Sequence, residues 1–277
     1  IKCIFYRIDF YLEVDGSTKI EENWFKFLIK KFLFSKPKAI FSPSRVTDSF
    51  FRHYGVPVEK IVHYNFTSLS KAQILNEPVD YKEKKELKKA LGLKDLPTVL
   101  FVGRLITRKR ADRLLKALKN IDKKLQCILV GDSPDDSYKN YLKNLALEMS
   151  DVHFINFLDQ KELQKYYRAS DIFVFPAINE VWGLVVNEAL ANGLPIISTD
   201  GCVAATELIR NGENGFIIAE DTDSELSRVI QKCLDERNKM SINSLNSINE
   251  YTIENMVRQH LVFMGVESED FSSNDDV

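Results

Sequence analysis

From Thr98 onward the chain alternates short runs rich in Val, Ile and Phe with segments of helical spacing, and this alternation constrains the fold more than any other feature. The runs are TVLFVG (98–103), CILVG (127–131), HFI (153–155), IFVF (172–175), PIIS (195–198) and GFII (215–218). Short and apolar throughout, they read as strands buried on both faces rather than as half-solvated ones. Helix-like segments lie near 110–119, 137–149, 160–169, 184–192, 203–210 and 224–234. Such alternation specifies an α/β fold, a parallel sheet covered by helices on both sides, and the six units make a doubly wound domain.

The rest of the composition narrows the function class. Hydrophobic residues make up 44% and charged residues 28% of the 277, enough for a sizeable core and against global disorder. A net charge of −2 argues against a general nucleic-acid binder, while leaving room for local basic sites. Cys3, Cys127, Cys202 and Cys233 have no CxxC spacing and cluster with none of His53, His63, His153 and His260, so a zinc site or disulfide framework is not expected and a reducing cytoplasm fits. His63 and His153, each on an apolar strand, read as structural. No apolar run is long enough to span a bilayer. The opening KCIFYRID reads as strand-like, with no initiating Met and no signal-peptide pattern, as in a chain missing its front end.

The first ninety residues are organised differently. AIFSPS (39–44) and KIVHYN (60–65) read as strands joined by a helix around Thr47–Tyr54 and closed by Gly55. About three strands fit into residues 1–70, too few for a complete domain. Residues 66–80 read as a linker, and KEKKELKKALGL (82–93) as a solvated helix stopped at Gly92.

Two constellations carry chemistry. In VGRLITRK (102–109), Gly103 lets the backbone turn at the carboxyl end of a strand, and Arg104 and Lys109 flank the mouth of the next helix. Ligands of open parallel sheets bind at that end, and two cations there suit a diphosphate, although the stretch by itself also reads as a solvated basic loop. In NEVWGLVVNEALANGLPIISTD (179–200), a helix begins near Leu184 and stops before Gly193 and Pro195. Glu180 precedes that helix and Glu188 lies within it, eight positions on, with Gly183 at the turn between them. The free N–H groups of the helix start attract phosphate or sugar oxygens, and carboxylates accept hydrogen bonds from sugar hydroxyls.

Glu180 and Glu188 form the E-x7-E motif, and the chain here resembles the retaining glycosyltransferases of family 4 (glycosyl transferase group 1), which have the GT-B fold. VGRL with Lys109, DQKELQKYYRASDIFVFPAINE (159–180) and ELIRNGENGF (207–216) are similar to that family in order and spacing. The likeness covers roughly residues 39–263. It implies a complete Rossmann-like doubly wound C-terminal domain over 76–265 that binds a nucleotide-sugar donor. Residues 1–75 would be a remnant of the N-terminal, acceptor-side Rossmann-like domain with its linker, and 266–277 a disordered tail.

Residue by residue, the resemblance implies that Arg104 and Lys109 hold the donor diphosphate and stabilise its departure. Glu188 would bind the ribose hydroxyls and Glu180 the sugar hydroxyls near the anomeric carbon. Backbone groups of Gly183, Leu184 and Val185 would line the sugar–phosphate pocket, Gly103 would belong to the donor site, and the segment around Phe157 would face the base. The implied reaction is transfer with retention, without metal or cofactor, from a UDP- or GDP-linked sugar to a glycan or lipid-linked acceptor in polysaccharide biosynthesis. The alternative is a donor-binding or regulatory module without catalysis of its own. Arg110 and Asn156 stand where the family often has Gly, and GCVAATE (201–207) is less glycine-rich than usual, which bears on donor identity.

Two further features complete the reading. DTD (221–223) resembles a metal-binding DxD, but Asp223 reads as a helix N-cap. WFKFLIKKFLFSKPK (24–38) interleaves aromatics with Lys, as for peripheral contact with the inner face of a membrane or, the preferred reading, for packing against a partner domain with the lysines outward.

Overall fold

The computed structural model describes residues 2–17, 22–149, 151–219 and 223–266. Its elements run α1 (Lys2–Phe5), β1 (Leu12–Glu13), α2 (Trp24–Phe34), β2 (Ile40–Ser42), α3 (Arg45–His53), β3 (Ile61–His63), α4 (Tyr81–Ala90), β4 (Thr98–Val102), α5 (Ala111–Lys119), β5 (Gln126–Val130) and α6 (Asp136–Ala146). They continue with β6 (Val152–Ile155), α7 (Gln160–Ala169), β7 (Ile172–Phe175), α8 (Leu184–Ala191), β8 (Ile196–Thr199), α9 (Val203–Leu208), β9 (Gly215–Ile218), α10 (Asp223–Ile248) and α11 (Ile253–Phe263). The chain divides into two compact units, residues 72–249 and the described residues of 1–71 with 250–277.

The larger unit is the expected doubly wound domain. Its six strands are all parallel, in the order β6-β5-β4-β7-β8-β9. Each coincides with one of the apolar runs, and residues such as Leu100, Phe101, Ile128, Leu129, Phe173 and Val174 are fully buried. The connection reverses direction between β4 and β7, which makes the carboxyl ends of these two neighbours the switch point where a crevice opens.

α4 differs from the solvated helix expected for 82–93. Lys88 is buried, its Nζ 3.0 Å from Asp171 Oδ2, while Lys84 Nζ lies 3.3 Å from Oδ1 of the same carboxylate. The Thr98 amide also donates to Asp171, at 2.8 Å. A charge-rich helix is thereby fastened to the amino ends of β4 and β7 by one buried acid.

In the smaller unit β1, β2 and β3 form a parallel sheet in that order, with Ile40, Phe50, Phe51, Tyr54 and Val56 at its core. Phe27 and Phe34 of α2 pack on this core, whereas Trp24, Phe25, Leu28, Ile29 and Phe32 are exposed. The helix therefore buries only part of its apolar surface within its own unit.

Two expectations are corrected here. The opening KCIFYRID is not a strand: Lys2–Phe5 is helical, and the place beside β2 is taken by Leu12 and Glu13, paired with Ile40 and Phe41. A run this short carries no period by which helix and strand can be told apart. The C-terminal domain expected over 76–265 also ends earlier. α11 joins the smaller unit, where His260 stacks on Phe41 at 4.0 Å and the Ile253 amide donates to the Leu69 carbonyl at 2.7 Å. Its apolar residues face a sheet some two hundred residues upstream, a pairing invisible to local spacing. The expected tail lies outside the described residues from 267 onward.

Candidate functional site

The site is built on the loops that leave the carboxyl ends of the central strands. β4 and β5 approach each other so closely there that a Cβ on Gly131 would stand 2.1 Å from the Gly103 carbonyl oxygen. Gly131 is held to glycine by backbone rather than by side chains. Beyond this point opens a cavity of about 470 Å³ lined by Gly103, Arg104, Gly131, Asp132, Phe157 and Leu163, among others. Phe157 is 77% exposed, and its amide donates to Asp132 Oδ2 at 3.2 Å, which fixes the turn that presents the ring. The cavity therefore joins Gly103, Arg104 and Phe157, and offers an aromatic face, one guanidinium and one carboxylate, that of Asp132.

The loop after β7 meets the loop after β4 at the switch point. Ile178 donates its amide to the Arg108 carbonyl at 2.9 Å, and Glu180 donates its own to the Gly201 carbonyl at 2.8 Å. The Glu180 carboxylate is thus suspended between strands and takes an ion pair from Lys109 Nζ, with Arg108 Nη1 at 3.2 Å on the same oxygen. Lys109 also lies over the Phe175 ring, 5.0 Å from its centroid. Arg108, which sequence reasoning passes over within the basic loop, is thereby a member of the site: its Nη1 also donates to the Asn179 carbonyl at 2.7 Å. Only its place three residues after Leu105 in a turn hints at this.

Gly183 begins α8 with φ at +106°, and no side chain caps the helix among the described residues. A Cβ there would fall 3.0 Å from Cys202 Sγ and 3.3 Å from Glu180 Cγ, so glycine serves both the left-handed turn and the close approach. The amides of Leu184 and Val185 belong to the first turn, whose N–H groups have no partner within the helix and carry its positive end.

Glu188 lies one turn deeper and half withdrawn from solvent. Burial raises its carboxyl above the usual range, and the Tyr167 hydroxyl, donating to Oε2 at 2.8 Å, acts in the opposite direction. Tyr167 is fully buried on the last turn of α7, and no local pattern around it signals its role. Trp182 and Asn187 stiffen the same loop through an indole N–H donated to Asn187 Oδ1 at 3.0 Å.

Two other places hold less chemistry. A depression of about 810 Å³ opens at the amino ends of β4, β5 and β6, and several of its charges pair off within it, Lys94 with Asp151 and Lys119 with Glu148. It also lies at the edge opposite to the one where such sheets bind ligands. Of DTD (221–223), Asp221 and Thr222 lie outside the described residues, as does the Asp223 side chain, so the N-cap expectation falls there too.

The profile of the family Glycosyl transferases group 1 matches residues 83–254. Spore coat protein SA of Bacillus subtilis (strain 168) is 36% identical over 145 residues, covering 49% of this chain and 38% of its own length. The lipopolysaccharide glucosyltransferase WaaG of Escherichia coli (strain K12) is 30% identical over 167 residues, covering 58% of this chain and 42% of its own. The chain thus spans less than half the length of these curated relatives. Among solved structures, Anabaena Alr3699/HepE in complex with UDP superposes with a TM-score of 0.83 at 18% identity, over 96% of this chain and 74% of that one. The structure of WaaG gives a TM-score of 0.66 at 20% identity, over 84% and 63% respectively. This chain shares with both the α/β fold of GT-B type.

Proposed function

The chain belongs to the glycosyl transferases group 1, and from that membership we propose that it transfers a sugar from a nucleotide-sugar donor to a glycan or lipid-linked acceptor with retention of configuration. The observation that carries the reading is the meeting of Lys109 with Glu180 beside the uncapped start of α8, where cations, free N–H groups and a carboxylate converge at the switch point.

In this reading Arg104, Lys109 and the Leu184 and Val185 amides face the donor diphosphate. The bond between the anomeric carbon and the phosphate oxygen breaks, and one to the acceptor oxygen forms. The acceptor proton leaves with the diphosphate. Preorganised positive groups stabilise the charge that develops on the departing oxygen. Glu180 exchanges part of its hold on Lys109 for sugar hydroxyls, Glu188 accepts hydrogen bonds from the ribose, and Phe157 stacks on the base. The charge compensation comes from these side chains and amides, without metal or cofactor, and the donor is linked to UDP or GDP. HepE, the neighbour of like fold, holds UDP in its crystals, which favours UDP.

The same proposal extends to the membrane. The outward face of α2 presents Trp24, Phe25, Leu28, Ile29 and Phe32 beside Lys26, Lys31 and Lys36, with no acidic residue in the helix. No described helix is long and apolar enough to cross a bilayer, and this face suits peripheral contact at the inner, anionic leaflet, near a lipid-linked acceptor. Co-sedimentation with anionic but not neutral vesicles, lost on Trp24→Ser with Phe32→Ser, is the expected result.

A thermal-shift screen against UDP, GDP, ADP and CMP tests the donor site. A ligand at a hundredfold its dissociation constant stabilises the protein by about 2.7 kcal/mol. A shift with one nucleotide supports the reading and names the donor class, and a shift with none overturns it. Binding without transfer or donor hydrolysis would reduce the chain to a donor-binding module.

A further inference from the structure

Tyr167 and Glu188 stand on different elements, α7 and α8, with β7 between them in the chain, yet they form one unit. The Tyr167 ring lies on the sheet beside Phe173, centroid to centroid 6.0 Å, and is fully buried. A buried phenol needs a partner for its hydroxyl. It finds one in Glu188 Oε2, at 2.8 Å. Glu188 forms no ion pair among the described residues, and Asn192 Nδ2 bonds its backbone carbonyl, at 2.9 Å, rather than its carboxylate. Of the carboxylate's two oxygens, one is thus pinned from below and Oε1 remains to accept hydrogen bonds from above.

We propose that Tyr167 is a positioning residue of the donor site, which holds the Glu188 carboxylate so that its second oxygen meets the ribose hydroxyls. The proposal rests on the assignment of Glu188 to the ribose. A carboxylate on a helix rotates about three bonds, and a single buried donor at fixed height selects the rotamer from which both oxygens are used. The hydroxyl has a second effect. Burial drives Glu188 towards its neutral form, in which it accepts hydrogen bonds poorly, and the phenol opposes this. Tyr167 itself stays protonated through the physiological range, because burial and the neighbouring Glu188 push it far up. It therefore acts as a donor at every pH at which the protein works, and Tyr167 is the titratable side chain that acts on Glu188 from the elements packed around it.

An ordinary core tyrosine whose hydroxyl happened on a carboxylate would give the same contact, so the test must read something that packing alone does not move. Calorimetric affinity for UDP and for GDP is measured from pH 5 to pH 8 on the whole chain, as wild type, Tyr167→Phe and Glu188→Gln. Tyr167→Phe keeps the ring and its packing. It is expected to weaken the nucleotide that binds by about tenfold near neutral pH, and to move the acidic fall-off in affinity upward. Glu188→Gln is expected to weaken binding and to remove Glu188's share of that fall-off, leaving only the part that follows protonation of the nucleotide's own terminal phosphate. Wild-type affinity and pH profile in Tyr167→Phe, with Glu188→Gln impaired, would overturn the positioning role and leave the ribose assignment standing. Wild-type affinity in Glu188→Gln, or no binding of either nucleotide by the wild type, would remove the ribose assignment and the proposal with it.

Discussion

Lys109 is bonded to Glu180 across 71 residues of sequence, with the two side chains only 12% and 13% exposed. The pair ties the loop after β4 to the loop after β7 at the point where the sheet reverses its winding. Because both charges are largely withdrawn from water, removing one leaves the other poorly compensated, although Arg108 at 3.2 Å still reaches Glu180. Lys109→Met is therefore expected to lower stability by about 1–3 kcal/mol and turnover by about a hundredfold or more. Pairing it with Glu180→Gln should recover most of the stability and none of the turnover. Urea unfolding and donor turnover on the single and double variants separate the two effects. Turnover regained in the double variant would mean that the pair is structural only.

Gly183 sets the position of that carboxylate. Replacement by Ala would force a Cβ into the space between Cys202 Sγ, 3.0 Å away, and Glu180 Cγ, 3.3 Å away, at a φ of +106°. Such strain costs on the order of 1–3 kcal/mol. The easiest relief is movement of Glu180, so Gly183→Ala should reduce turnover more than nucleotide affinity. Equal losses in both would show that the turn moves as a whole.

The sheet was legible in the sequence because its strands are buried on both faces and so appear as unbroken apolar runs. Glu180, Gly183 and Glu188 were legible for a related reason: a loop and the helix it starts are local, and their spacing along the chain is their spacing in space. Arg108 and Tyr167 were not. Each acquires its role only when a segment 72 or 21 residues further on returns to it through the sheet. Lys88 misled in the same way. Its charge pattern is that of a solvated helix, and what buries it is Asp171, 83 residues away. Likewise α11 has an amphipathic face, but nothing in that face says which unit it will cover.

Arg110 tests how much one departure from the family's pattern matters. It sits at φ +55° and ψ +36°, a conformation that costs a non-glycine residue roughly 1–2 kcal/mol, which accounts for glycine being usual there. Its Nε lies 3.5 Å from the Asp112 carboxylate, one of the interactions it makes. Arg110→Gly relieves the strain but adds the entropy of a freer backbone, about 0.5–1 kcal/mol. Stability should therefore change by less than about 1 kcal/mol, and nucleotide affinity not at all. A marked loss of affinity would make Arg110 part of the donor site.

Asp171 should govern how the larger unit responds to acid. Burial alone would raise its carboxyl, but Lys84, Lys88 and the Thr98 amide outweigh it, and the net shift is downward. A carboxyl whose value is lower in the folded than in the unfolded chain contributes stability above the unfolded value, about 3.9. That contribution is lost as pH falls through the folded value, because the folded protein must then bind the proton the unfolded chain already holds. Asp171→Asn keeps an acceptor for Thr98 but leaves Lys88 buried without a counter-charge, and Lys84 nearly so. The expected cost at neutral pH is about 3 kcal/mol. The difference between wild type and variant should shrink steadily below about pH 4 as the wild type loses the same pair. Urea midpoints measured at pH 7, 4 and 3 follow it directly. A difference that stays constant over that interval would mean that the cost of the substitution does not come from losing the Asp171 charge.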